Sequence, residues 1–184
     1  MNTTRLDLGP VLLELDVYRD ARGFFVERFH LARFRDFGLP TKFVQDNHSR
    51  SLPGVLRGLH FTSDLKQGKL VSVTRGRVWD VAVDIRPASP TRGRHVAVEL
   101  DGDDGRALWI PPGFAHGFCV LGEEPADVLY KVDDLYNPAT DAGIIWDDPE
   151  LAIPWPVERP ILSEKDRRLQ SFAEYRQLMR GKTD

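Results

Sequence analysis

The chain has 184 residues, 41% hydrophobic and 29% charged, which suits one globular domain able to bury a real core without metal or disulfide staples. A net charge of -3 leaves no general basic field to collect nucleic acid, and a single cysteine, Cys119, excludes an intrachain disulfide. The N-terminus lacks a basic segment followed by an apolar run, and no stretch can span a bilayer, so no membrane partner and a cytoplasmic location are expected.

In chain order, D-A-R-G-F-F-V-E-R-F from Asp20 to Phe29 and F-V-Q-D-N-H-S from Phe43 to Ser49 come first. Together they supply Arg22, Phe25, Glu27, Gln45 and Asn47, the aromatic, amide and charged groups needed to stack on a nucleobase and bond its edge and phosphates. Between them Leu31, Phe34 and Phe37 are spaced for a short helix stopped by Gly38 and Pro40. Trp79, Val81, Val83 and Ile85 then alternate with Val78, Asp80, Ala82 and Asp84, the period of a strand. Val96, Val98 and Leu100 repeat that pattern. The turn residues D-G-D-D-G follow, then Leu108, Trp109 and Ile110, and the whole reads as a hairpin. Phe118 to Leu121 reads as a buried strand that contains Cys119. Turn signals recur at Pro53-Gly54, Gly76, Pro87 to Pro90, Pro111-Pro112-Gly113 and Gly122, a spacing that favours an all-β antiparallel sandwich or barrel. Asn137 to Pro160 reads as an ordered arm lying on that barrel, and Leu169, Phe172 and Met179 fit a terminal helix. One domain over residues 1–184 is expected, with a barrel core at about 20–135 and the arm and helix at about 137–184.

The segment R-G-L-H-F-T-S-D-L-K-Q-G-K, Arg57 to Lys69, sets His60 beside cations between predicted strands. A base that removes a proton next to a carbonyl needs a nearby cation or donor to hold the enolate oxygen, and Arg57 and Lys69 offer that. A metal-binding barrel would place a second histidine two positions on, where Thr62 stands, and no metal is expected at His60. His116, in W-I-P-P-G-F-A-H-G-F, enters a strand after a tight turn, and can accept a hydrogen bond, orient the surroundings of His60 or touch a phosphate. Tyr130 alternates with Leu129 along a strand. It is either a core aromatic with a satisfied hydroxyl or a proton donor inside the barrel. In L-S-E-K-D, Ser163 and Asp166 have the spacing of a helix-capping pair, while the Asp166 carboxylate can also reach a histidine and stabilise its protonated form.

Taken in order, R-G-F-F-V-E, Q-D-N-H-S, V-L-R-G-L-H-F, Q-G-K-L-V, G-R-V-W-D-V-A-V-D-I-R, S-P-T, W-I-P-P-G-F-A-H-G-F, L-Y-K and L-S-E-K-D closely resemble the dTDP-4-dehydrorhamnose 3,5-epimerase family of deoxysugar biosynthesis, from about Asp20 to Asp166. The resemblance implies a metal-independent, cupin-like antiparallel jelly roll with a few short flanking helices. It also implies a homodimer in which an N-terminal segment completes the partner's nucleotide site, and a dTDP-4-keto-6-deoxyhexose substrate, with no cofactor. On the same footing His60 is the expected general base, Asp166 its dyad partner, Lys69 the enolate stabiliser and Tyr130 the acid on the opposite sugar face. Arg57, His116, Gln45 and Asn47 fall on positions that contact the sugar or diphosphate, and Arg22, Phe25 and Glu27 on those around the nucleotide. After L-Y-K the family often has two adjacent tyrosines; here Leu135 takes the first place and Tyr136, a further substrate-binding candidate, the second. A single-carbon epimerase or ketoisomerase of the same substrate class, or a non-catalytic nucleotide-sugar barrel, stays open as an alternative to inversion at carbons 3 and 5.

Overall fold

The structure is a computed structural model that describes residues 1–180. Thirteen strands form in chain order: β1 Asn2–Arg5, β2 Val11–Glu14, β3 Val17–Asp20, β4 Gly23–Val26, β5 Gln45–Ser51, β6 Leu56–Thr62, β7 Lys69–Arg75, β8 Arg77–Asp84, β9 His95–Asp101, β10 Arg106–Ile110, β11 Phe114–Leu121, β12 Ala126–Val132 and β13 Asp141–Gly143. Among the described residues helix is confined to α1 Leu31–Asp36, α2 Phe172–Arg180 and a 3-10 turn at Asp166–Arg168. Two antiparallel sheets face one another, in the orders β1-β2-β10-β7-β12-β5 and β13-β6-β11-β8-β9, and the β3-β4 hairpin stands apart as a two-stranded ribbon. This is the expected cupin-like jelly roll. None of the described helices is long and apolar enough to cross a membrane.

The alternation read in β8 has a two-sided meaning. Val78 and Ala82 enter the core between the sheets, with Val71, Val73, Leu108, Phe118 and Val128, while Val81 and Val83 join Ile85, Leu59, Phe172 and Tyr175 in a second core beneath the C-terminal arm. A strand covered on both faces carries apolar residues at successive positions, which is why this run is so rich in valine. The arm is ordered. Trp155 packs edge-on against Trp79 with centroids 5.4 Å apart, its Nε1 donates to the Trp146 carbonyl at 2.8 Å, and the arm supplies β13 as an edge strand beside β6.

Several expectations change in detail. β9 and β10 form, but not as a hairpin: β9 is the edge of the five-stranded sheet, whereas β10 lies inside the six-stranded one between β2 and β7. The D-G-D-D-G turn therefore carries the chain from one sheet to the other. It is pinned there because the Gly102 N–H donates to the Gly76 carbonyl at 3.0 Å and the Gly105 carbonyl accepts from Leu15 N–H at 3.1 Å. A side chain at Gly102 would meet the Arg75 backbone at 2.8 Å. The barrel also begins before residue 20, since β2 pairs with β10. In α1 only Phe34 is buried, packed against Phe29 and Phe43, and Leu31 and Phe37 remain exposed. Leu169 precedes α2, whose inner face is Phe172 and Tyr175. Residues 181–184, the end of the expected arm-and-helix segment, lie outside the described residues.

One glycine contact positions the site. Gly58, two residues before His60, has φ +130, and a Cβ there would come within 2.5 Å of Gly117 Cα. Only a glycine pair lets β6 and β11 approach this closely beneath His60.

Candidate active site

The two sheets leave a cavity of about 350 Å³ at one end of the barrel, and register decides which side chains enter it. Tyr130 on β12 stands opposite Asn47 on β5 and Val71 on β7, and Val71 belongs to the inter-sheet core, so Tyr130, Asn47, Gln45 and Lys69 share the inner face of the six-stranded sheet. Across from them His60 enters from β6. Phe61, Thr62, Gln67, Tyr136, Asn137, Asp141 and Lys165 complete the lining.

His60 Nε2 lies 2.6 Å from Asp166 Oδ1. The Asp166 carboxyl is buried at 3% exposure, and its backbone N–H donates to Ser163 Oγ at 3.0 Å. Backbone and side chain of Asp166 thus face different partners: Ser163 Oγ accepts its N–H at the start of the 3-10 turn, and the carboxylate is left for the histidine. Burial pushes the Asp166 carboxyl up, but hydrogen bonds with His60 and Ser163 and the charge of His60 outweigh it and leave it below the usual carboxylate range. An ionised carboxylate can only accept, so Nε2 carries the hydrogen and Nδ1 keeps its lone pair.

Lys69 is 8% exposed, and its Nζ donates to the His60 carbonyl at 3.2 Å. Burial lowers it to about 8; the negative charges of Asp80 and Asp141 act against burial, and Lys165 reinforces it. A compact cation thus sits on the cavity floor with hydrogen-bonding capacity to spare. Burial raises the Tyr130 phenol, helped by Asp141 and opposed by Arg57, so the hydroxyl keeps its proton. Around the mouth, Gln45 Nε2 donates to Asn47 Oδ1 at 2.8 Å, Gln45 Oε1 accepts from the Tyr136 N–H at 3.0 Å, and the Tyr136 hydroxyl donates to Asp141 Oδ2 at 3.2 Å. Lys165 Nζ donates to the same Asp141 oxygen.

Of the residues singled out from the sequence, His60, Lys69, Tyr130, Gln45, Asn47 and Tyr136 line the cavity, with Asp166 directly behind His60. Arg57 borders a second cleft on the other side of the His60–Asp166 pair, its Nε donating to Ser51 Oγ at 2.9 Å. His116 stands beside His60 on β11, yet it is buried, does not line the cavity, and is held by Asp80 at 2.8 Å. Arg22, Phe25 and Glu27 are not brought to this chain's cavity. Arg22 pairs with Asp20 and Phe25 is 65% exposed on the free hairpin, while Glu27 pairs with Arg33. Leu135 is exposed and outside the lining; the aromatic at this edge is Tyr136. Asp141 and Lys165 escaped sequence reasoning: the first lies in an arm without periodic pattern, and the second is adjacent to Asp166 in a motif read for its acid. Among the described residues no three His, Cys, Asp or Glu side chains are grouped as a metal site would need.

The family model described as dTDP-4-dehydrorhamnose 3,5-epimerase matches residues 5–174. A protein of that name from Pseudomonas aeruginosa is 51% identical over 177 residues, covering 95% of this chain and 97% of its own. Among solved structures, the dTDP-6-deoxy-D-glucose-3,5-epimerase of Legionella pneumophila in complex with dTDP-4-keto-L-rhamnose superposes with a TM-score of 0.89 at 48% identity, over 95% of this chain and 96% of that one. A 4-keto-6-deoxy sugar epimerase from the novobiocin gene cluster of Streptomyces spheroides gives 0.92 at 37% identity, over 97% and 91%.

Proposed function

The chain belongs to the dTDP-4-dehydrorhamnose 3,5-epimerase family, and from that premise we propose how its own residues invert carbons 3 and 5 of dTDP-4-keto-6-deoxy-D-glucose. The enzyme is an isomerase of deoxysugar biosynthesis, and we read the chain of 184 residues as a single catalytic domain. The observation that carries the assignment of roles is the 2.6 Å pairing of His60 with a buried Asp166, facing Tyr130 and Lys69 in one cavity.

His60 Nδ1 takes the proton from the carbon beside the ketone. The C–H electron pair becomes the carbon–carbon double bond of an enolate, and the carbonyl π pair moves onto oxygen. Lys69 holds that oxygen as its charge develops, in a low-dielectric site where a fixed cation is worth far more than in water. Tyr130 then returns a proton to the same carbon from the other face, so configuration inverts and the ketone is restored. Before the second carbon is treated, the imidazolium releases its proton to solvent and the phenolate regains one. The ketone itself acidifies both neighbouring carbons, so the chemistry needs no redox cofactor. We assign the sugar and diphosphate to Gln45 and Asn47, with Arg57 at the neighbouring cleft and His116 behind the wall, and the base to the Tyr136 ring.

The nucleotide contacts assigned to Arg22, Phe25 and Glu27 require a homodimer, in which the β3-β4 hairpin of one copy reaches the cavity mouth of the other. Support comes from the hairpin's isolation as its own two-stranded sheet and from its exposed Tyr18, Phe24 and Phe25. Sedimentation equilibrium should return twice the chain mass; a monomer at assay concentration would remove this part of the reading. We place the enzyme in the cytoplasm; its one cysteine, Cys119, is buried and can form no intrachain disulfide.

Tyr130→Phe tests the two-face assignment. Abstraction by His60 should continue, so substrate recovered from deuterated water carries label without inversion, while epimerised product forms roughly a hundredfold more slowly. Equal loss of exchange and inversion would remove Tyr130 from the role of acid.

A further inference from the structure

The polar chemistry of the cavity continues behind its wall. His116 is opposite His60 in the β11-β6 register and opposite Ala82 in the β11-β8 register, so it enters the barrel interior beside the proposed base. Asp80, two residues before Ala82 on β8, projects to the same face. Its carboxylate is 0% exposed, and its Oδ2 lies 2.8 Å from His116 Nε2. Oδ1 is equally shut off from solvent and has no hydrogen-bond partner. A buried carboxylate with one oxygen unsatisfied is costly, and its neighbours along the inner face, Val78 and Ala82, give no packing reason for it. Lys69 presents the opposite problem, a buried ammonium whose hydrogen bond goes to the uncharged His60 carbonyl.

Building on the epimerase reading, we propose that Asp80 is a positioning residue: from behind the cavity its carboxylate fixes the His116 ring and supplies the negative charge that keeps Lys69 a cation facing the sugar ketone. The Asp80 charge offsets part of the burial cost of the Lys69 ammonium. Among the charges acting on Lys69, Asp80 is the largest favourable one and Asp141 on β13 the next, against burial and Lys165. The other polar side chains that line the cavity with Lys69 include His60 and Thr62 on β6, Gln67, Tyr130 on β12, and Gln45 and Asn47 on β5, while His116 on β11 lies behind the wall. Asp133, beyond β12, accepts the Gly68 N–H on its Oδ1 at 2.6 Å and is not among the charges acting on Lys69.

The test is the titration of Lys69 in the free homodimer, followed by NMR of labelled lysine side chains, in the parent and in Asp80→Asn. The parent midpoint is expected near 8. In Asp80→Asn it should fall by at least about one unit, and kcat at pH 8.5 should drop roughly tenfold relative to the parent, while kcat at pH 6 falls less than about threefold. A midpoint that stays in place, or a kcat loss equal at both pH values, overturns the proposal. Because the midpoint is read without substrate, failure of the epimerase reading would show instead as an inactive parent. If Asp80→Asn does not fold, His116→Gln leaves the carboxylate and removes the ring. The Lys69 midpoint should then hold within about 0.3 units while kcat falls by the same factor at every pH. A midpoint that collapses in His116→Gln would assign control of Lys69 to the imidazole and exclude Asp80.

Discussion

His60→Asn is expected to lower kcat roughly a thousandfold or more and to abolish solvent exchange at both carbons together, because one side chain serves as base for each abstraction. The asparagine retains a polar group near Asp166 but has no basic lone pair. The fold should tolerate the change: His60 is a part-exposed cavity residue, and loss of its bond to the buried Asp166 costs about 1–3 kcal/mol. Exchange is read by mass spectrometry of the recovered nucleotide sugar, and stability by thermal melting. Persistence of exchange at one carbon alone would mean that a second base serves the other position.

Lys69→Met should separate activity from stability in opposite directions. Without the cation on the enolate oxygen, kcat is expected to fall by about 10²–10³. Stability at pH 7 should rise instead. Lys69 titrates at about 8 in the folded protein against an ordinary 10.5, so holding it charged near neutrality costs the fold on the order of 3 kcal/mol. The sign follows from proton counting. Between about 8 and 10.5 the unfolded chain binds more protons at this site than the folded one, so the parent gains stability as pH rises across that window. Lys69→Met removes the gain, and its advantage in melting temperature should be largest at pH 7 and vanish above about 10.5. The parent's kcat should decline above about pH 8 as the ammonium is lost; the phenol of Tyr130, raised by burial, does not account for that limb. A variant both inactive and less stable at pH 7 would mean that Lys69 is a structural lysine.

What the sequence made legible follows the range of each interaction. The two-residue alternation of β8 is local, and it identified the strand and both of its faces. The D-G-D-D-G turn has the same chemistry whether it closes a hairpin or joins two sheets. The choice was made by the fit of Gly102 against Arg75 and the Gly105 bond to Leu15, contacts about 27 and 90 residues away in sequence. His60, Lys69, Tyr130 and Asp166 were singled out because each lies in a short motif whose residue types suit proton transfer or charge stabilisation, and the structure gathers them at one cavity. Asp141 and Lys165 were not, since Asp141 reaches the cavity only when β13 adds to the edge of β6. Asp80 lay in plain view on the strand's inner face, but nothing in alternation says that a carboxylate will lie behind a cationic floor. Leu135 is exposed and stands outside the cavity lining, which Tyr136 joins instead.

The most direct measurement is the hydrogen isotope content of product formed from dTDP-4-keto-6-deoxy-D-glucose in deuterated water. Proton removal by His60 and return by Tyr130 at each flank of the ketone should leave one solvent deuterium on carbon 3 and one on carbon 5 after a full turnover. Product inverted with its original hydrogens in place would contradict the account, and label at a single carbon would restrict it to one side of the ketone.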